Sequence, residues 1–113
     1  MYEIKVGNDI VYVPRFKKKM ASGKICDKLF HKTEMKNNSV EHLAGIFALK
    51  ESCIKALALP IGSWLSIEVK KMKTGKPHIK FEKQFAKKII SQDCSISHDG
   101  DYVIAQVVFL LEK

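Results

Sequence analysis

The segment from Val40 to Ala58 constrains the fold of this chain more than any other. Ser39 opens it, and a serine there accepts a hydrogen bond from an otherwise orphaned amide of the first turn. Glu41 follows in that turn, where the helix dipole favours negative charge. Leu59-Pro60 closes it, because the residue before a proline is pushed out of helical geometry. The sequence therefore predicts one long helix over Val40 to Ala58. At about 100° per residue, Glu51 falls between Phe47 and Ala58 on one side and Ala44 and Lys55 on the other. The polar sector is expected elsewhere on the wheel, around Glu41 and Ser52. A carboxylate thus lies on an apolar face, where it needs compensation. Two readings are open: a Glu51–Lys55 pair one turn apart at the rim of the core, or a carboxylate held for a cation, with small alanines leaving room for a ligand.

The rest of the chain alternates strands and short helices. Tyr2, Ile4 and Val6 alternate with Glu3 and Lys5, the pattern of a half-buried strand. Gly7-Asn8-Asp9 reads as a break, after which Ile10 to Val13 resumes as β-branched sequence up to Pro14. Arg15 to about Lys32 predicts one or two lysine-rich helices divided at Ser22-Gly23. Leu65, Ile67 and Val69 form a strand, Thr74 to Pro77 a turn, and Ile79 and Phe81 the return strand. Phe85, Ala86 and Ile89 suggest one face of a short helix. Cys94 to His98 and Tyr102 to Leu111 make two strands joined at Asp99-Gly100. No repeat or linker interrupts residues 1–113, so the expectation is a single compact α+β domain with an antiparallel sheet packed against the long helix.

Composition narrows the partners. The net charge of +8 calls for something acidic: nucleic acid, anionic lipid, a phosphorylated ligand or an acidic protein. No apolar run is long enough to span a bilayer, and the N-terminus lacks a signal-type apolar core. A cytoplasmic location without membrane contact is expected. Cys26, Cys53 and Cys94 are odd in number and widely spaced, which suits reduced thiols and gives no zinc framework. A chain of 113 residues buries a limited share of its surface, so self-association is a natural supplement.

Three residues invite chemistry. Besides Glu51, Asp9 follows a glycine between two strand-like segments, where an aspartate serves either a turn or a ligand. Two carboxylates without a cysteine or histidine cluster suit Mg²⁺ better than zinc. His98 stands at a hairpin tip after Ser95 and Ser97, a place where histidine is usually plain surface. His31, His42 and His78 share no metal spacing with it. The nucleotide cradles and the serine-hydrolase elbow have no motif here.

These signals fall together in one pattern. Gly7-Asn8-Asp9-Ile10-Val11 with Arg15-Phe16 resembles the opening of the holo-acyl-carrier-protein synthases, short members of the 4′-phosphopantetheinyl transferase superfamily. Leu43 to Glu51, then Lys55-Ala56-Leu57, is similar to their central helix. Ser63-Trp64, Gly75-Lys76-Pro77 and Ser95 to His98 match later landmarks in the same order, over nearly the whole chain.

The resemblance implies transfer of 4′-phosphopantetheine from coenzyme A to a serine of apo-acyl carrier protein, with release of adenosine 3′,5′-bisphosphate. It implies that Asp9 and Glu51 bind Mg²⁺ and that Lys55 lies against the pyrophosphate. Glu51, directly or through a metal-bound water, is the local base for the serine proton. His98 would reach the coenzyme A phosphates from a neighbouring subunit of a homotrimer. Arg15, Lys18 and Lys19, with Lys17 and Lys24 nearby, would dock the acidic carrier protein. Two departures stand out. Ile46 replaces an arginine that the family associates with phosphate or carrier contacts, and Val11 stands where longer members carry a third carboxylate. The alternative, a basic nucleic-acid-binding α+β module without catalytic activity, explains the charge, but the chain has neither paired strand aromatics nor a GXXG loop.

Overall fold

The computed structural model describes residues 1–86 and 88–113. Along the chain run β1 (Tyr2–Tyr12), α1 (Val13–Met20), α2 (Cys26–Leu29), a 3₁₀ turn (Lys32–Met35), α3 (Val40–Leu57) and a second 3₁₀ turn (Ser63–Ser66). The hairpin β2 (Ile67–Lys71) and β3 (Pro77–Phe81) follows, then α4 (Lys83–Ala86), β4 (Ile89–Asp99) and β5 (Tyr102–Glu112). β5 is the centre of a three-stranded antiparallel sheet in the order β1-β5-β4. The fold is α+β, with α3 lying across one face of that sheet.

α3 begins and ends as its sequence demands. The Ser39 hydroxyl accepts from the His42 amide, and Ala58 ends the helix in the left-handed conformation at φ 51°. Its inner side packs on Val103, Ala105, Val107 and Phe109, the alternate residues of β5, all fully buried. The expected polar sector is different. Ser52 is buried and donates to the Ala48 carbonyl at 2.7 Å and to Ala105 O at 3.4 Å. α3 is covered around most of its circumference, and its open strip is the one carrying Phe47, Glu51 and Lys55.

β1 corrects three expectations. It is unbroken through Gly7-Asn8-Asp9, with Gly7 opposite Val107 and Asp9 opposite Ala105. It ends at Tyr12, so Val13 starts α1 and Pro14 sits in the first helical turn, where a missing N–H costs nothing. Its apolar residues also face the other way. Tyr2, Ile4, Val6 and Ile10 lie on the outer face and are exposed, while the inner face presents Gly7, Asp9 and Val11 to α3. Across the sheet the outer face continues with Tyr102, Ile104 and Val108.

The short helix expected over Phe85, Ala86 and Ile89 is only one turn, α4, and Ile89 already pairs with Leu111 in β4. Lys87, which that expectation spans, lies outside the described residues. Leu65 belongs to the 3₁₀ turn before β2. β3 meets β4 through a side chain: Gln92 accepts from the Ile79 amide and donates to the Ile79 carbonyl, both at 2.8 Å.

Candidate functional site

The site starts from a close approach of two backbones. A Cβ on Gly7 would lie 1.9 Å from the Ser52 carbonyl oxygen, so only glycine lets β1 run this near α3. Side chains two apart on a strand share a face, and Asp9 is therefore delivered to the open strip of α3. There Lys55 Nζ donates to Asp9 Oδ1 at 2.9 Å and to the Asn8 carbonyl at 3.1 Å. The Asp9 carboxylate is largely covered, whereas Lys55 is more than half exposed.

Glu51 sits one turn before Lys55 yet does not pair with it. Among the described residues its carboxylate accepts no hydrogen bond of full geometry, the Trp64 indole N–H being only nearby; Asp9 has taken the lysine. Burial raises the Glu51 pKa above the usual carboxylate value, and the negative charge of Asp9 raises it further. Lys55, the Trp64 indole N–H and Lys19 pull the other way. The arrangement is two carboxylates drawn together, one of them without a donor.

Both carboxylates line a cleft of about 350 Å³. Phe16, Phe47 and Trp64 form its apolar wall, and Arg15 and Lys19 of α1 stand at its rim. The aromatic rings run in series, with Phe16 and Phe47 5.5 Å apart and Phe47 and Trp64 6.4 Å apart. Arg15 lies 5.6 Å over the Tyr12 ring, which holds its guanidinium at the start of α1. Lys17, Lys18 and Lys19 fill the last turn of α1, a favourable end of the dipole for cations. Lys24 is exposed between α1 and α2.

His98 belongs to a different place. β4 and β1 are the two outer strands of the sheet, so His98 and Asp9 occupy opposite edges with α3 between them. His98 lines a second cleft, of about 570 Å³, with Ile46, Ile96, His42 and Lys71. No described residue lines both clefts. Ile46, the position of the absent arginine, is buried in the floor of the His98 cleft, where Lys36, Lys70 and Lys71 carry positive charge.

The sequence reading passed over Lys50 and Glu34. Both side chains are fully buried, and they pair at 2.8 Å. Lys50 Nζ also donates to the Leu29 carbonyl at 2.7 Å and faces the Phe30 ring at 5.5 Å. Glu34 accepts from the amides of His31 and Val69, each at 2.7 Å. This cluster fixes the wall of the His98 cleft to the core. The signal that singles out Glu51, a charge within an apolar helix, is equally present at Lys50, between Leu49 and the pair Cys53 and Ile54.

Asp9 and Glu51 fit a hard dication. Among the described residues no group of three or more His, Cys, Asp or Glu side chains converges. A cation held here draws on two carboxylates and completes its shell with water and phosphate oxygens, which is the habit of Mg²⁺ and not of zinc. A dication also relieves the mutual repulsion that raises the Glu51 pKa.

Comparison with known proteins accords with this architecture. The family model described as the 4′-phosphopantetheinyl transferase superfamily matches residues 5–107. A holo-[acyl-carrier-protein] synthase of Finegoldia magna is 34% identical over 115 residues, covering 97% of this chain and 98% of its own. One from Thermodesulfovibrio yellowstonii is 40% identical over 111 residues, covering 91% and 95%. The crystal structure of Helicobacter pylori holo-[acyl-carrier-protein] synthase in complex with coenzyme A superposes with a TM-score of 0.83 at 34% identity, covering 92% of this chain and 98% of that one. Matching sequence over nearly its full length and sharing one fold with these proteins, the chain belongs to the 4′-phosphopantetheinyl transferase superfamily.

Proposed function

We propose that this chain is a holo-[acyl-carrier-protein] synthase that transfers 4′-phosphopantetheine from coenzyme A to a serine of apo-acyl carrier protein. The observation that carries this reading at the level of residues is the meeting of Asp9, Glu51 and Lys55 on the open strip of α3. Full-length relatives of that name and a neighbour solved with coenzyme A support the activity. The 113 residues act as one domain.

The reaction joins the serine oxygen to the β-phosphorus of coenzyme A and breaks the bond from that phosphorus to the bridging oxygen, which leaves with adenosine 3′,5′-bisphosphate. In this reading Asp9 and Glu51 would hold Mg²⁺, and the ion would supply positive charge for the phosphate oxygens. Lys55 turns its ammonium from Asp9 to the pyrophosphate, and its exposure leaves it free to move. Glu51 is the local base for the serine proton, directly or through a water. The apolar wall of Phe16, Phe47 and Trp64 limits water around these groups.

His98 completes the site from a second copy of the chain. Its cleft stands at the far edge of the sheet, and its histidine and lysines suit the phosphates of coenzyme A, with lysines in place of the arginine absent at Ile46. The exposed apolar face of Tyr2, Ile4, Val6, Ile10 and Ile104 supports self-association, and a homotrimer follows from the family resemblance. Arg15, Lys18 and Lys19 receive the acidic carrier protein. No described helix is long and apolar enough to cross a membrane; the activity is assigned to the cytoplasm, where the free Cys26, Cys53 and Cys94 stay reduced.

The deciding experiment incubates the protein with coenzyme A, Mg²⁺ and apo-acyl carrier protein and weighs the carrier. A gain of one phosphopantetheine group is expected, and Asp9→Asn or Glu51→Gln should lose it while remaining folded. An unchanged carrier, together with salt-sensitive binding of random RNA, would return the chain to the nucleic-acid reading.

A further inference from the structure

Trp64 is the only tryptophan of the chain, and its polar atom is unaccounted for. The residue sits in the 3₁₀ turn after α3, where Gly62 at φ 90° reverses the backbone and returns the ring against Phe47. Its Nε1–H is buried and has no hydrogen-bond partner among the described residues. An unmade buried hydrogen bond of this kind is a standing cost, which phenylalanine would avoid while keeping the apolar contact. On the same cleft stands a carboxylate with the opposite deficiency. Glu51 has no donor, since Lys55 is engaged with Asp9. The indole N–H lies near enough to ease the Glu51 charge without reaching hydrogen-bond geometry. An orphan donor and an orphan carboxylate therefore face one cleft.

We propose that Trp64 is a positioning residue whose indole N–H donates to one carboxylate oxygen of Glu51, leaving the other oxygen for Mg²⁺. This rests on the reading in which Asp9 and Glu51 hold the metal. The physical reason is orientation: a carboxylate on a long side chain loses rotamer freedom when it ligates, and a fixed donor behind it supplies part of that order in advance. A tilted ring contact with Phe47, 6.4 Å between centroids, packs the indole in place, and the exposed Lys55 cannot serve as this donor while it serves Asp9.

The test reads metal binding and not turnover. Mg²⁺ is titrated into the protein with saturating coenzyme A and no carrier, followed by calorimetry and, in the wild type, by the fluorescence of its single indole. A saturable fluorescence change is expected, absent in Asp9→Asn. Trp64→Phe keeps a ring against Phe47 and should weaken Mg²⁺ by roughly 10- to 100-fold. Trp64→His, which restores a ring N–H, should recover part of the loss. In EDTA both variants should still unfold cooperatively, with Trp64→Phe melting no lower than Trp64→His, because phenylalanine also removes the orphan N–H. Mg²⁺ binding within twofold of wild type in Trp64→Phe, with Asp9→Asn still abolishing it, overturns this inference and leaves the metal site standing. Unimpaired Mg²⁺ binding by Asp9→Asn and Glu51→Gln overturns the metal reading itself. A loss in Trp64→Phe that histidine does not reduce at all makes the indole a packing group and also overturns the proposal.

Discussion

Replacing Gly7 by alanine should damage stability and the site together. The added Cβ would stand 1.9 Å from the Ser52 carbonyl oxygen and 3.0 Å from the Ala56 Cβ. The first contact is with helix backbone, which cannot rotate away, so β1 and α3 must separate. To reach even the 3.0 Å below which such contacts essentially never occur, the gap must open by about 1.1 Å. Overpacking of this kind costs about 1–3 kcal/mol, and more where backbone is involved. At about 4–8 °C per kcal/mol for domains near this size, the melting point should fall by at least about 4 °C. The same displacement acts two residues on, at Asp9. Its 2.9 Å contact with Lys55 would lengthen beyond hydrogen-bonding range, and its distance to Glu51 would change with it. A misplacement of about 1 Å in reacting groups is worth on the order of 100-fold in rate. Transfer to carrier protein, followed by mass spectrometry, should therefore show kcat/KM reduced at least tenfold even in the folded fraction. Gly45→Ala is the internal control, because its Cβ would meet only side-chain methyls, Ile96 at 3.4 Å and Val103 at 3.8 Å, which are ordinary contacts. A Gly7→Ala protein that melts and reacts like Gly45→Ala would refute the argument that backbone proximity builds the site.

Lys50→Met should cost about 3–5 kcal/mol by urea unfolding, since it leaves Glu34 charged and buried. Combined with Glu34→Gln it should cost less than the two single changes added together; strict additivity would mean that the pair is not coupled. Changing Ile4 and Ile10 to glutamate should reduce the mass measured by light scattering while leaving the far-ultraviolet spectrum intact, and an unchanged mass would remove the outer sheet face from the assembly. Reversing Arg15, Lys18 and Lys19 to glutamate should raise KM for the carrier protein and flatten its salt dependence, with KM for coenzyme A unaltered. Equal damage to both constants would mean that α1 shapes the whole site.

Much of the fold was legible because its signals are local. Ser39, Pro60, the Gly75 turn and the Asp99-Gly100 hairpin each act within a few residues, and each element they bound is present. The errors were of long range. In the sequence Gly7 looks like a breaker because glycine frees the chain to turn; in the fold it removes a Cβ that would strike a helix 45 residues away in sequence, at Ser52. Ser52 was placed in a polar sector because serine is polar, yet a hydroxyl that bonds the carbonyl one turn back is content in the core. The Lys50–Glu34 pair joins α3 to a turn that no periodicity connects to it. The resemblance brought Asp9, Glu51 and Lys55 together; the residues alone pointed to Glu51 and left it between two readings.

Which face of β1 is the inside is decided by what packs on it and not by the strand's own pattern. Alternation states that Tyr2, Ile4, Val6 and Ile10 share a face, and nothing in a period of two says what that face meets. Assigning it to the core follows only if the chain folds alone against itself. In the structure the core-facing residues of β1 are Gly7, Asp9 and Val11, a row that makes sense only when α3 is close enough to need glycine and an acidic side chain is wanted beside Lys55. The inner face gives up bulk at Gly7 and carries a carboxylate at Asp9, with Val11 in the core, while Tyr2, Ile4, Val6 and Ile10 stand outside. An exposed strip of tyrosine, isoleucine and valine is a burden on an isolated chain. The proposed assembly gives the strip a use, and it gives the distant His98 a cleft to reach: on this reading one strand serves the chemistry with one face and the partner with the other.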